Sequence, residues 1–314
     1  MKKILITGIS GFIGNMLKDR LLDLGYEVVG MVQLGNLGIP LRHKNLRYIV
    51  SDLTDYSGVA KRLKEVDPDF IIHLAARTEV EKSFYEPISF SEVNYCGTVN
   101  LIEASKDLNL KLFIMASTME TYGHQPKENW KPFDENTPQY PNAPYAVAKI
   151  ACEYYLNYAK RAYDFPFTVL RQTNSYGRVD NDFFVVEQMI SQMLKHPDVV
   201  KFGYREPYRN FLYIDDLLDL YIKLIKNVDL CKGEVFCTGP DNAIQIGKLA
   251  EIIASKIGYK GDIVWGTKPV RAGEIYYLNS TGAKAKRVLD WEPRFNLSEG
   301  LDLTIKNWKE THGY

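Results

Sequence analysis

Apolar runs of strand length alternate with segments of helical period through the first half of the chain, and this alternation restricts the fold more than any other feature. In order stand KILIT, a helical stretch from about Phe12, EVVGMV, LRYIV, a helix near 59–66, DFIIHLAA, a long helix around 91–108, KLFIMAS, a second long helix from about Tyr145, and FTVLR. Strands joined through helices rather than tight turns pair in parallel, because each crossover returns the chain to the same end of the sheet. Runs such as FIIHLA have no polar face, so helices must cover both sides.

Beyond Arg171 the rhythm is irregular, with helical patterns near 185–194 and 244–257 and several Gly/Pro turns. The expected fold class is therefore α/β: a Rossmann, doubly wound parallel sheet with a smaller α+β C-terminal substrate lobe. Residues 1–172, together with about 211–238, are expected to form the dinucleotide-binding domain, and 173–210 with 239–314 the second lobe. Ligands of open parallel sheets sit at the carboxyl ends of the strands. The two lobes should form a cleft above those ends.

The first strand runs into GISGFIG, with Gly8, Gly11 and Gly14 at three-residue spacing before a helix. Glycines there permit a tight turn and close approach of a pyrophosphate, and the helix start supplies amide donors. A glycine-rich turn alone is a weak sign; after the first strand of an alternating pattern it points to a dinucleotide. The second strand ends GMVQLGN, where an acid would favour NAD and an arginine NADP; Val32 and Gln33 are neither. With no cation at this strand end to meet a 2′-phosphate, NAD is favoured and NADP stays open. Asp52, after the third strand, is placed to accept from an adenine amino group, or else to close a turn.

Partners of other classes find little support. The 39 basic and 39 acidic side chains of the 314 residues cancel, which argues against nucleic acid or an anionic membrane as partner. No apolar run approaches bilayer length, and MKKILITG breaks too early for a signal peptide, so the cytosol is the expected compartment. Cys96, Cys152, Cys231 and Cys237 show no CxxC spacing and are expected to be buried thiols; the five scattered histidines give no metal site. His73, inside an apolar strand, reads as a satisfied core histidine.

PYAVAK places Lys149 four residues after Tyr145, on the same helical face, with Pro144 at the helix start. A phenol near an ammonium and a helix N-terminus should have its pKa lowered toward a range useful for taking a proton from a sugar hydroxyl. ASTMETYG places a carboxylate, Glu120, just after an apolar strand, where a buried charge is costly unless paired or used. Local alternation puts Thr118 and Glu120 on one side and Met119 on the other.

TGISGFIG, HLAA, STMETYG and PYAVAK, in this order, with RQTNSYG, RNFLYIDDL and RVLDWEP beyond, resemble the extended short-chain dehydrogenase/reductase family, the NAD-dependent epimerases and dehydratases of nucleotide sugars. The likeness spans nearly the whole chain. It implies that Tyr145 is the acid/base, that Lys149 holds the nicotinamide ribose, and that Thr118 bonds the substrate hydroxyl. It assigns Ser10, Phe12 and Ile13 of the glycine loop, Leu53, and Leu74, Ala75 and Ala76 of HLAA to the dinucleotide. Arg209 and Arg271 match diphosphate ligands and Asn174 a substrate amide; Arg178, and Ser83 in the loop after HLAA, are further candidates for substrate contact. Family members with glutamate at position 120 are chiefly 4,6-dehydratases and UDP-glucuronate decarboxylases, whereas 4-epimerases carry small residues. The nearest likeness is to dehydratases of the GDP-mannose 4,6-dehydratase type. It departs from them at Gln33 and Leu34, where those enzymes carry arginines. A 4-epimerase, a decarboxylase, a C4 dehydrogenase and a dinucleotide-sensing regulator are the alternatives. Family habit implies a homodimer through the helices near 91–108 and 145–163.

Overall fold

The computed structural model describes residues 1–33, 43–267, 269–270 and 273–314. Seven strands form the main sheet: β1 (Lys3–Thr7), β2 (Glu27–Val32), β3 (Leu46–Val50), β4 (Phe70–His73), β5 (Leu112–Thr118), β6 (Phe167–Gln172) and β7 (Glu234–Cys237). All pair in parallel, in the order β3-β2-β1-β4-β5-β6-β7. The doubly wound architecture is the expected one. Alternation along β1 sends Ile4 and Ile6 into one apolar layer and Leu5 into the other, so one strand feeds two cores.

Strand order reverses where β1 lies between β2 and β4, which opens a crevice at their carboxyl ends. The glycine loop fills the turn from β1 into helix α1 (Phe12–Asp23). Gly8 has φ +72°, and a Cβ there would come within 2.7 Å of the Ala75 amide nitrogen. At Gly14 a Cβ would lie 2.4 Å from the Gly8 carbonyl oxygen, so helix and loop approach more closely than any side chain permits.

Helix α2 (Tyr56–Val66) follows β3. The helix expected around 91–108 differs in outline: it starts at Pro87, passes through one π turn over Glu92–Cys96, and ends as α3 (Gly97–Ser105). Proline at the first helical positions moves the start forward, since its missing N–H costs nothing there. Cys96, in that π turn, is exposed, contrary to expectation; Cys152, Cys231 and Cys237 are buried. Helix α4 (Pro144–Tyr163) begins one residue before Tyr145.

The remainder of the chain builds short sheets over the strand ends. Asn174–Tyr176 pairs with Phe211–Tyr213, Tyr208–Arg209 with both Ile244–Gln245 and Tyr277–Leu278, and Val199–Lys201 with Asp262–Val264. Helix α5 (Val185–Lys195) stands beside them. The helical pattern expected from Ile244 opens as a two-residue strand and becomes helix at Ile246–Ile257. Helix α6 (Ile214–Lys226) leads the chain back to the main sheet, where Arg20 of α1 meets Asp215 at 3.0 Å. Among the described residues no helix is long and apolar enough to cross a membrane.

Candidate active site

A cleft of about 1260 Å³ lies between the strand ends and the C-terminal elements. The loop residues Gly8, Ser10, Gly11, Phe12, Ile13 and Gly14 form its floor, with Asp52 and Leu53 after β3 and Leu74, Ala75 and Ala76 after β4. No side chain caps the N-terminus of α1, which leaves its first amides available to a ligand. Asp52 also closes a turn: one carboxylate oxygen accepts from the Thr54 amide at 2.9 Å and from its hydroxyl at 2.8 Å. Gln33 lines the cleft, whereas Leu34 lies outside the described residues.

Thr118, Glu120, Tyr145 and Lys149 share one wall. β5 ends at Thr118, and the chain tightens into a 3-10 turn over Met119–Tyr122 rather than staying extended. The Thr118 hydroxyl accepts from the Glu120 amide at 3.1 Å and fixes that turn. The turn separates the side chains as simple alternation would. Met119 is buried, its sulfur accepting from the Thr173 hydroxyl at 3.3 Å, while Glu120 faces the cleft. One Glu120 carboxylate oxygen is buried without a hydrogen-bond partner.

Burial, and then the charge of Glu120, push the Tyr145 phenol well above its ordinary value, while a hydrogen bond with Thr118 works the other way. This reverses the expectation that Lys149 lowers it. The Lys149 ammonium is spent on β5, donating to the Ala116 carbonyl at 2.8 Å. Burial lowers the pKa of Lys149, against the nearby Cys152 and Glu153. Behind this wall His73 is wholly buried, with Nδ1 2.7 Å from the Thr7 hydroxyl and Nε2 2.8 Å from that of Thr98. It is the satisfied core histidine expected from the sequence.

The substrate-side residues divide. Asn174 lines the cleft and donates to the Asn210 carbonyl at 3.2 Å. Arg209 lines it too, held by Glu274 at 3.0 Å and by the Tyr208 carbonyl at 2.9 Å. Arg178 also lines the cleft but is paired there, buried against Glu187 with its guanidinium between the rings of Phe12 and Phe184. Ser83 is a correction: it is fully buried outside the cleft, its hydroxyl donating to the Val80 carbonyl at 2.6 Å at the end of a one-turn helix. Arg271 lies outside the described residues. Glu187 and Glu274 escaped the sequence reading. For Glu187 the signal was present, an acid directly after the apolar run FFVV, much as Glu120 follows an apolar strand.

Among characterised proteins, the family model described as GDP-mannose 4,6 dehydratase matches residues 5–304. A putative UDP-glucose 4-epimerase of Methanocaldococcus jannaschii is 28% identical over 98% of this chain and 99% of its own. The crystal structure of UDP-glucose 4-epimerase with UDP-glucose from Thermotoga maritima is 30% identical, superposes with a TM-score of 0.90, and covers 99% of both chains. The UDP-glucuronic acid 4-epimerase of Bacillus cereus, solved with UDP-glucuronic acid and NAD, is 26% identical, with a TM-score of 0.87 over 98% of this chain and 99% of the other.

Proposed function

The chain belongs to the GDP-mannose 4,6 dehydratase family of nucleotide-sugar enzymes, and from that premise we propose that it is an NAD-dependent NDP-hexose 4,6-dehydratase working through a transient 4-keto sugar. The dinucleotide is proposed for the groove above β1–β4. The residues there fit it: Gly8 and Gly14 leave no room for side chains where the loop packs, and the start of α1 is uncapped. The Bacillus cereus relative, solved with NAD, supports the same cofactor. Held there, NAD would supply the acceptor for a hydride from sugar C4 and the source of its return.

Tyr145 takes the proton of the C4 hydroxyl, which Thr118 orients. Lys149, fixed by the Ala116 carbonyl, is proposed to hold the nicotinamide ribose. Oxidation at C4 makes the C5 proton acidic; Glu120 removes it and passes it to the departing C6 hydroxyl, which leaves as water. The hydride returned at C6, with a proton taken up from solvent at C5, completes the 4-keto-6-deoxy sugar. The observation that carries dehydration over epimerisation is the buried Glu120 oxygen without a partner in the cleft wall. Inverting a hydroxyl needs no such base, and a buried carboxylate oxygen without a partner is a standing cost to the fold. Arg209 and Arg271 are proposed to meet the diphosphate, with Asn174 beside the sugar.

A 4-epimerase is the second reading, favoured by the two UDP-glucose 4-epimerase relatives and by Met119, which offers no acid to the departing hydroxyl. Incubation with GDP-mannose, dTDP-glucose, UDP-glucose and UDP-glucuronate, followed by mass spectrometry, separates the readings. Dehydration is expected to remove one water from one of these sugars, and Glu120→Gln to abolish that loss. An isomer of unchanged mass means epimerisation, loss of carbon dioxide a decarboxylase, and loss of two hydrogens a C4 dehydrogenase.

The proposal extends to a cytosolic homodimer. Tyr154 and Tyr158 of α4 and Ile88, just ahead of the π turn, are exposed apolar side chains on the two helices that would meet.

A further inference from the structure

Arg178 and Glu187 form a buried pair that the reaction above does not use. The guanidinium carbon lies 4.1 Å from the centre of the Phe12 ring and 3.9 Å from that of Phe184, so both planar faces are covered. One edge donates to the Ser175 carbonyl at 2.7 Å and approaches Glu187 at 3.4 Å. Glu187, also fully buried, receives the Gly177 and Arg178 amides at 2.9 and 3.0 Å through the same oxygen, while its other oxygen has no partner. Phe12 is the first residue of α1, inside the glycine loop, whereas Phe184 immediately precedes α5. The sandwich thus ties the amide end of the dinucleotide site to the opposite lobe.

We propose that Arg178 is a positioning residue for the dinucleotide site, holding the Phe12 ring at the start of α1 and cancelling the Glu187 carboxylate buried behind it, and not a ligand of the nucleotide-sugar diphosphate. The inference rests on the reading that the glycine loop holds NAD. A guanidinium stacks on two rings at once and an ammonium cannot, so lysine is not a conservative replacement here. Removing the cation altogether leaves a buried carboxylate facing a dianion.

Titration calorimetry of the full chain with NAD, and separately with UDP, GDP and dTDP, tests this. Arg178→Lys is expected to weaken NAD about tenfold and to leave unchanged the affinity for whichever nucleoside diphosphate the wild type binds. Arg178→Met is expected to weaken NAD further, and adding Glu187→Gln to it to restore part of the loss. Unchanged NAD affinity in Arg178→Lys overturns the inference alone, as does weakening confined to the nucleoside diphosphate. Equal weakening of both with a lowered melting temperature, unrelieved by Glu187→Gln, shows a merely structural pair and overturns it too. A wild type that binds no NAD overturns the functional reading itself.

Discussion

Glu120, Glu187 and His73 are three titratable side chains in apolar stretches, and their fates separate by what surrounds them. His73 is closed off by two threonine hydroxyls, and burial, then the charge of Lys149, push its pKa down to about 3. The unfolded chain takes up a proton near pH 6.5 that the native protein refuses. Stability is therefore complete above that value and falls as pH drops toward 3, by about 1.4 kcal/mol per pH unit from this residue. Calorimetric melting from pH 7 to pH 4 should show a shallower acid decline in His73→Asn than in the wild type; parallel declines would mean that the ring is protonated in the native state. The residue types and their spacing were legible: Tyr145, Lys149, Thr118 and Glu120 stand on one wall as the sequence placed them. What each charge pairs with was not. Arg209 meets Glu274 across 65 residues, and Arg178 meets Glu187 only because α5 turns back over the loop before it. Local periodicity carries no record of such partners; Ser83 was expected in the cleft from its place after HLAA, and the one-turn helix Val80–Ser83 turns it inward instead.

Elements hold the wall together through one buried pair. Tyr145, Lys149 and Glu153 recur at four-residue spacing along one face of α4. Arg171 of β6 grips Glu153 at 2.8 Å and also donates to the Tyr122 hydroxyl at 3.0 Å. Ser117 of β5 donates to the same carboxylate. Helix α4, the strand ending at Thr118 and the turn carrying Glu120 are thereby fixed to one another. Arg171→Met strands a buried carboxylate and is expected to cost about 3–5 kcal/mol in urea unfolding. The double variant Arg171→Met/Glu153→Leu should recover most of it; a single variant within 1 kcal/mol of wild type would show that the pair is dispensable. Element order was readable because each strand is continuously apolar and each crossover helix has its own period. The π turn over Glu92–Cys96 and the 3-10 turn over Met119–Tyr122 were not, since one residue more or fewer per turn leaves the apolar pattern almost unchanged.

At the scale of the molecule, the sheet supplies the groove proposed for the dinucleotide and the short C-terminal sheets supply the opposite wall, so that Thr118 of β5 and Tyr145 and Lys149 of α4 face the cleft between them. The parallel architecture followed from the alternation alone. The second lobe was legible only as irregular, because two- and three-residue strands have no period to read. The proposed dehydration turns on whether the C5 proton leaves the sugar. Turnover in deuterium oxide measures this directly, by magnetic resonance of the product from whichever nucleotide hexose is consumed. The account predicts a 4-keto-6-deoxy sugar carrying solvent deuterium at C5, formed by the wild type and not by Glu120→Gln. A C4-inverted product of unchanged formula with no solvent deuterium on carbon, made equally well by both proteins, would contradict it.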